Sequence, residues 1–503
     1  MPLCQKQKKS KKKLKKPQQK RLKKKEKQKN LKKPASNRIV SDIPFSSFIA
    51  LIESHLSRQA LPGSLVRPYS LPQDFFKKLD MHIPSKGCSY ETLFEWLDTF
   101  LSLSVDTAHP QFFNQLFGGR LWPAIFGEWV ATVINTSMYT YEMASVGAVI
   151  ERILIEKFNS LVGFDGGDGI FVTGGSNGNL VAMLCARQAF FPAIKEEGMY
   201  RTPPLVAFVS EDAHYSFLKA AITLGLGTHH LVRVAVDDQG CMDPVALEQA
   251  ICGVRAEGKI PFFVGATAGT TVRCAFDPIE DIATVCARQQ VWLHIDASFG
   301  GAALLSSVHR DKLAGSQLAD SFVWDAHKVM NIPLACSAFL VVSHRKNILI
   351  DTCKTEGVHY IFHNYDGHEA LDTGQKSLQC GRRMDVLKLW LAWMAMGDEG
   401  YEQRINTCAD HAQYATDYIQ KNPCFRLVYP TSFLTVCFQC LPKNECDIHQ
   451  FNEDLRFELL RSGEVMINQC KEPGKTYFRL VFLDPDRTFS DIDRCFELVS
   501  RRF

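Results

Sequence analysis

Hydrophobic positions along this chain change their period part-way. Between Ser41 and Gln59, Phe45, Phe48, Ile49, Ile52 and Leu56 recur at three- and four-residue intervals, the stripe of an amphipathic helix. Pro62, Pro68 and Pro72 punctuate a connection, and a second helical stretch runs from Ser89 to Leu103. Leu121 to Val162 is long, apolar and poor in breakers, and predicts two helices. From Gly169 short β-rich runs alternate with helical stretches: Ile170–Thr173, Leu205–Ser210, Leu231–Val236, Phe262–Ala266, Val291–Ile295, Phe322–Trp324 and Ala338–Val342. Strands apolar on both faces and separated by helices predict an α/β fold with a mainly parallel sheet covered on both sides. After about residue 400 a smaller αβ domain is expected, with strands near Leu427, Leu434–Leu441 and Tyr477–Phe482 and helices near 447–462 and 490–501. The expected organisation is a lysine-rich tail over 1–40, an N-terminal helical segment over 41–125, a large domain over 126–400 and a small domain over 401–503.

Composition narrows the class of protein. The 503 residues, 46% hydrophobic and 22% charged, suit an ordinary globular protein too long for one simple core. No uncharged apolar stretch approaches the roughly 18 residues of a membrane span, and no apolar run follows the basic N-terminus as in a secretory signal. Seventeen cysteines without framework spacing point to reduced thiols and a cytoplasmic setting. Cys437 and Cys440, three apart on an expected strand, face opposite sides and read as structural. The net charge of +4 hides a split: residues 1–33 hold 16 lysines, Arg21 and a single acid, Glu26, so the tail is strongly basic and the body acidic. Such a tail repels itself and has little to bury. Its plainest reading is a solvated, disordered extension, with nucleic acid, an anionic membrane or the acidic body as alternative contacts.

In an open parallel sheet, ligands gather at the carboxyl ends of the strands, and chemistry-bearing residues cluster there. Lys328 lies in Asp325-Ala326-His327-Lys328, just after the run Ser321–Trp324; a lysine in such a dry position suits a Schiff base. Asp296 ends the run Val291–Ile295 and suits the partner of a pyridinium nitrogen. Together they suggest pyridoxal phosphate. Gly174-Gly175-Ser176-Asn177 is a glycine turn opening a helix, a seat for phosphate or a plain capped turn. His214, directly after a strand, could lie on the ring or be an ordinary loop histidine. Thr267 to Thr271 place small residues where a cofactor could approach closely. Arg479, in an apolar strand, needs a carboxylate, from a ligand or from within the chain. No metal or dinucleotide spacing competes.

The stretches His109–Leu116, Asn135–Glu142, Ala266–Val272, Phe276–Ile279, Leu378–Asp385 and Phe478-Arg479-Leu480 resemble, in collinear order, the pyridoxal-phosphate-dependent group II amino-acid decarboxylases, closest to the glutamate, cysteine sulfinate and aspartate branch. The resemblance runs from about residue 45 to the end and leaves out the basic tail. It implies a type I fold acting as a homodimer with the active site at the subunit interface. It implies that Lys328 holds pyridoxal 5'-phosphate, that Asp296 pairs with the ring nitrogen and that His214 stacks on the ring. Ser176, Asn177, Thr267, Thr270 and His327 would help seat the cofactor. Gln115 and Phe117 would touch substrate, and Arg479 would hold its α-carboxylate. A loop tyrosine returns a proton to Cα in this family; Tyr365 is expected in that role, with Tyr360 as fallback. The implied reaction is α-decarboxylation of an acidic amino acid, aspartate or cysteine sulfinate ahead of glutamate, giving an amine and carbon dioxide. The alternatives are another reaction of the same cofactor (transamination, or decarboxylation of a non-acidic amino acid) and a non-enzymatic nucleic-acid-binding role for the tail.

The chain departs from the family pattern in places. Asp325-Ala326 stands where Asn-Pro is usual, Ser298-Phe299 replaces Ala-Trp, and Ser176-Asn177-Gly178-Asn179 replaces the branch's usual turn. Arg273 and Cys274 stand where smaller or neutral residues are common. Arg273 adds a positive charge either for an acidic substrate or for a neighbouring acid.

Overall fold

A computed structural model describes residues 44–79, 81–358, 360–363, 368–443 and 446–502; the basic tail and Tyr365 lie outside the described residues. Two compact units result, one of residues 44–62 and 70–103, the other of 63–69 and 104–502. In the first, the expected helices are Phe45–Gln59 and Tyr90–Leu103, joined by the Arg58–Asp98 ion pair at 2.5 Å and the Phe48–Phe94 ring contact.

The second unit contains both sheets. The strands in chain order are β1 (Phe112–Phe113), β2 (Asp168–Val172), β3 (Leu205–Ser210), β4 (Leu231–Val234), β5 (Ile260–Thr267), β6 (Trp292–Asp296), β7 (Ser321–Asp325), β8 (Ser337–Val341), β9 (Phe425–Leu427), β10 (Thr435–Cys440), β11 (Met466–Glu472) and β12 (Lys475–Val481). The larger sheet runs β2-β8-β7-β6-β5-β3-β4; β4-β3-β5-β6-β7 pair in parallel, and β8 is antiparallel to both of its neighbours. Every residue of β3, β6, β7 and β8 is buried, as two helical layers require. The helix Gly175–Phe190 packs so closely that a Cβ on Gly178 would lie 2.4 Å from Val323 Cγ2.

The smaller sheet runs β1-β11-β12-β10-β9 and is antiparallel except for the β1–β11 pair. Neither β1 nor β11 follows from the sequence pattern. β1 has two residues, and β11, Met-Ile-Asn-Gln-Cys-Lys-Glu, has no apolar run. Helices Ile448–Ser462 and Phe489–Ser500 close this layer, started by Asp447 and Thr488, whose side chains accept helix N–H bonds. The apolar stretch 121–162 holds helices Trp122–Ile134 and Val146–Val162, with a short turn of helix, Tyr141–Ala144, between them. Asn135 ends the first in the left-handed region at φ +50°. Cys437 and Cys440 are buried in β10, and the Cys437 thiol donates to the Val272 carbonyl at 3.5 Å. Among the described residues no helix is long and apolar enough to cross a membrane.

Candidate active site

Register brings the polar residues together. β5, β6 and β7 are parallel neighbours, so their ends place Thr267 beside Asp296 and, one strand over, lead to Asp325 and the Lys328 turn. Asp296 is buried. Its Oδ2 accepts from Asn179 Nδ2 at 2.7 Å and its Oδ1 from the Ser298 N–H at 3.1 Å. Burial pushes this carboxyl up, but Lys328, Ser298, Asn179 and His294 together outweigh burial and hold it below the usual carboxylate range. Asp296 is therefore an anion in a dry place.

Behind it, Asn179 extends the network. Its Nδ2 also donates to Ser216 Oγ at 2.9 Å, and its Oδ1 lies 2.9 Å from His294 Nε2, whose Nδ1 lies 2.9 Å from Ser321 Oγ. An amide oxygen only accepts, so His294 carries its proton on Nε2. Neither Asn179 nor His294 stands out in the sequence as a site residue. Asn179 is a polar residue in a helix, and its partner Asp296 is 117 positions away.

The Lys328 ammonium lies 3.0 Å from Asp325 Oδ2 and is partly exposed, whereas Asp325 is buried. Ser337 Oγ donates to Asp325 Oδ1 at 2.5 Å. The aspartate that departs from the family pattern thus serves as the lysine's counter-ion. His327 is buried, its Nδ1 3.0 Å from the Cys336 carbonyl, and burial lowers its imidazole, with Asp325 pulling the other way. His214 is half-buried and its Nδ1 accepts the Ser216 N–H at 3.3 Å, leaving Nε2 as the protonated nitrogen of the neutral ring. Burial lowers His214 as well; Asp296 opposes the fall and Lys328 adds to it, so all three groups share one field.

The loop after β5 is tied down by internal hydrogen bonds. Asp277 accepts the N–H groups of Met242 and Thr267 at 2.7 Å each, and burial, against those two bonds, pushes its carboxyl up to about 7. Thr270 closes the loop through bonds with Ala275, its Oγ1 accepting the Ala275 N–H at 3.0 Å. Thr267 Oγ1 is buried without a partner. Arg479, buried in β12, donates to the carbonyls of Thr271 at 2.5 Å and Asn114 at 3.0 Å. Its Nε is buried without a partner, and no carboxylate among the described residues pairs with it. Gln115 is exposed, Phe117 half-buried, Ser176 exposed and Asn177 half-buried. Tyr360 is 76% exposed.

These residues fit pyridoxal phosphate. Gly174, at φ +126°, opens the helix Gly175–Phe190, and a Cβ on Gly175 would fall 2.0 Å from Ser298 Oγ and 3.0 Å from Asp325 Oδ2, so the cradle admits only glycine. The helix N-terminus offers amides to an anion, Thr267 Oγ1 awaits a partner, Asp296 is an anion, and Lys328 is a reachable amine. An open cavity of 1170 Å³ between Gln188–Glu196 and Ser343–Glu356 shares no residue with this cluster.

A mainly parallel sheet carrying a lysine, a buried aspartate and a glycine-opened helix at one end defines a pyridoxal-phosphate-dependent enzyme of the type I fold. Residues 72–441 match the pyridoxal-dependent decarboxylase conserved domain. The chain is 40% identical to cysteine sulfinic acid decarboxylase of Mus musculus over 84% of its own length and 88% of the relative's. It is 36% identical to an acidic amino acid decarboxylase of Bos taurus over 84% and 83%. The crystal structure of mouse CSAD superposes with a TM-score of 0.85 at 37% identity, covering 91% of this chain and 98% of that one. The chain belongs to the pyridoxal-dependent decarboxylases, and it is a carboxy-lyase that works with pyridoxal phosphate.

Proposed function

We propose that this enzyme removes the α-carboxylate of a small acidic amino acid, cysteine sulfinate or aspartate ahead of glutamate. The observation that carries the proposal is Arg479: a buried guanidinium, steadied by two backbone carbonyls, with an unpartnered Nε and no carboxylate paired with it among the described residues. A buried arginine left in that state is costly unless a ligand carboxylate completes it. The names of relatives at 36–40% identity support the acidic substrate class.

In this reading Lys328 holds the cofactor covalently. Ser176, Asn177, Thr267 and His327 border its seat, with Thr270 shaping the loop from behind. When bound, pyridoxal phosphate supplies an electron sink for the pair released as the Cα–carboxylate bond breaks. Asp296, kept anionic, retains the proton on the ring nitrogen. His214, with its proton on Nε2, would border the cofactor ring and could exchange a proton there. Arg479 fixes which bond breaks by holding the carboxylate, a matter of orientation rather than proton transfer. Gln115 and Phe117 border the substrate's other end. Tyr365, with Tyr360 as fallback, returns a proton to Cα; Tyr365→Phe should divert product from amine towards carbonyl compound, and unchanged products would remove Tyr365 from the mechanism.

Two helices support a homodimer. On Trp122–Ile134 the residues Trp122, Phe126, Trp129, Val130 and Val133 are exposed along one face, and on Val146–Val162 so are Val146, Val149 and Ile153. Such contiguous apolar stripes suit a second copy of the chain.

The test is carbon dioxide release by purified enzyme from cysteine sulfinate, aspartate and glutamate, with the absorbance spectrum recorded alongside. Release from the first two ahead of glutamate, and loss of both the cofactor band and release in Lys328→Ala, is the expected outcome. A bound cofactor with no release from any of the three would refute the substrate class.

A further inference from the structure

We infer that Arg273 is a positioning residue that ties the substrate-carboxylate clamp to the loop carrying His214. The inference rests on the reading of Arg479 as that clamp.

The guanidinium of Arg273 does not stand free for an acidic substrate. It lies over the Tyr429 ring, its Cζ 4.1 Å from the centroid, with Nε 3.2 Å from Asp212 Oδ2 and a terminal nitrogen 3.6 Å from Glu472 Oε1. Its side chain is only 15% exposed. Glu472 in turn accepts hydrogen bonds from the hydroxyls of Tyr429 and Tyr477, and Lys475 Nζ donates to Tyr429 Oη at 3.2 Å. Two acids and two bases therefore neutralise one another around one aromatic face. The charge of Arg273 is thus met by acids of the chain itself rather than left for a ligand.

What the network joins gives it meaning. Asp212 lies on the loop after β3, two residues before His214. Tyr429, Glu472 and Tyr477 belong to the smaller sheet or its margin. Arg273 itself follows Thr271 and Val272, whose carbonyls receive Arg479 and the Cys437 thiol from that same sheet. The segment 271–273 is thus fastened to the smaller sheet at three successive residues. Gly240, at φ +83°, backs the cluster so tightly that a Cβ there would come 2.9 Å from Arg273 Cδ. If Arg273 lets go, one of these three anchors is lost, and the Thr271 carbonyl that helps Asn114 to aim Arg479 is held less firmly. The His214 loop loses one of its ties, the one through Asp212, in the same event. A guanidinium placed over a ring and shared between two acids is a contact that lysine does not reproduce.

The experiment uses the full-length holoenzyme and measures KM, kcat and melting temperature for Arg273→Met, Arg273→Lys, Glu472→Gln and Arg479→Gln. Arg273→Met should raise KM about tenfold with kcat within about threefold, the signature of a loosened binding group, and Arg273→Lys should recover only part of it. Glu472→Gln should raise KM in the same direction, and combined with Arg273→Met it should add less than the product of the two. Glu472→Gln also decides the matter if Arg273→Met does not fold. An unchanged KM in the Arg273 and Glu472 variants, with or without a lower melting temperature, overturns the inference, provided Arg479→Gln raises KM. An unchanged KM in Arg479→Gln instead overturns the clamp reading on which the inference rests.

Discussion

At the scale of single residues, the site is a set of polar groups made tolerable by one amide. Asn179 satisfies Asp296 and His294 at once, so Asn179→Ala strands a buried acceptor and a buried donor. The expected cost is about 2–4 kcal/mol, read from urea denaturation, together with weaker retention of the cofactor. His294 makes a pH prediction. Burial pushes its imidazole down to about 4, against Asp296, from an ordinary value near 6.5. The unfolded chain therefore takes up this proton first, so the stability tied to a neutral His294 is complete above about pH 6.5 and is lost as pH falls through about 4. Asp296, held low, adds a loss in the same direction at still lower pH. Asp277 works against both: with its carboxyl at about 7, its share is full below its ordinary 3.8 and fades as pH rises through 7. His294→Gln should flatten the fall in unfolding free energy between pH 6.5 and 4; an unchanged slope would mean that other groups carry it.

Elements are held in place by one buried fork. Arg382 donates to both oxygens of Glu151 at 2.7 and 2.8 Å, to the carbonyls of Phe171 and Met138, and to Thr373 Oγ1. This joins the segment after residue 372 to β2 and to the helix Val146–Val162. Removing one partner leaves a buried charge, so Arg382→Met should cost about 3–5 kcal/mol in a denaturation experiment. Most of the elements, unlike the fork, could be read from the sequence. β3 lies where its apolar run predicts, and the other large-sheet strands fall within a residue or two, because strands covered on both faces must be apolar throughout. β11 could not be read, because most of its residues are only partly buried, and β1 is too short to leave a period. Lys328, Asp296 and Arg479 were legible as charges ending or interrupting apolar runs. Asn114 was not, because it acts through its backbone carbonyl, and Arg382 and Glu151 were not, because their pairing spans 231 positions.

For the whole molecule, the two exposed apolar stripes carry the prediction. The chain should sediment as a dimer, and Val133→Asp, a charge placed at an 85% exposed position on the first stripe, should shift it towards monomer. A dimer unaffected by Val133→Asp and by Val146→Asp would move the seam elsewhere. The pairing of β1 with β11 has a further consequence, in time rather than in space. Phe113 aligns with Ile467, so the smaller sheet draws one edge from early in the chain and the other four strands from its end. On the ribosome, at ~5–20 residues per second, Phe113 waits roughly 20–70 s for its partner. Every strand of the larger sheet is synthesised during that wait. Arg479, steadied by Asn114 from the early segment and Thr271 from the middle, is set only after all of the larger sheet has been made. A chain ending shortly before residue 466 would therefore carry every strand of the larger sheet and lack both β11 and Arg479.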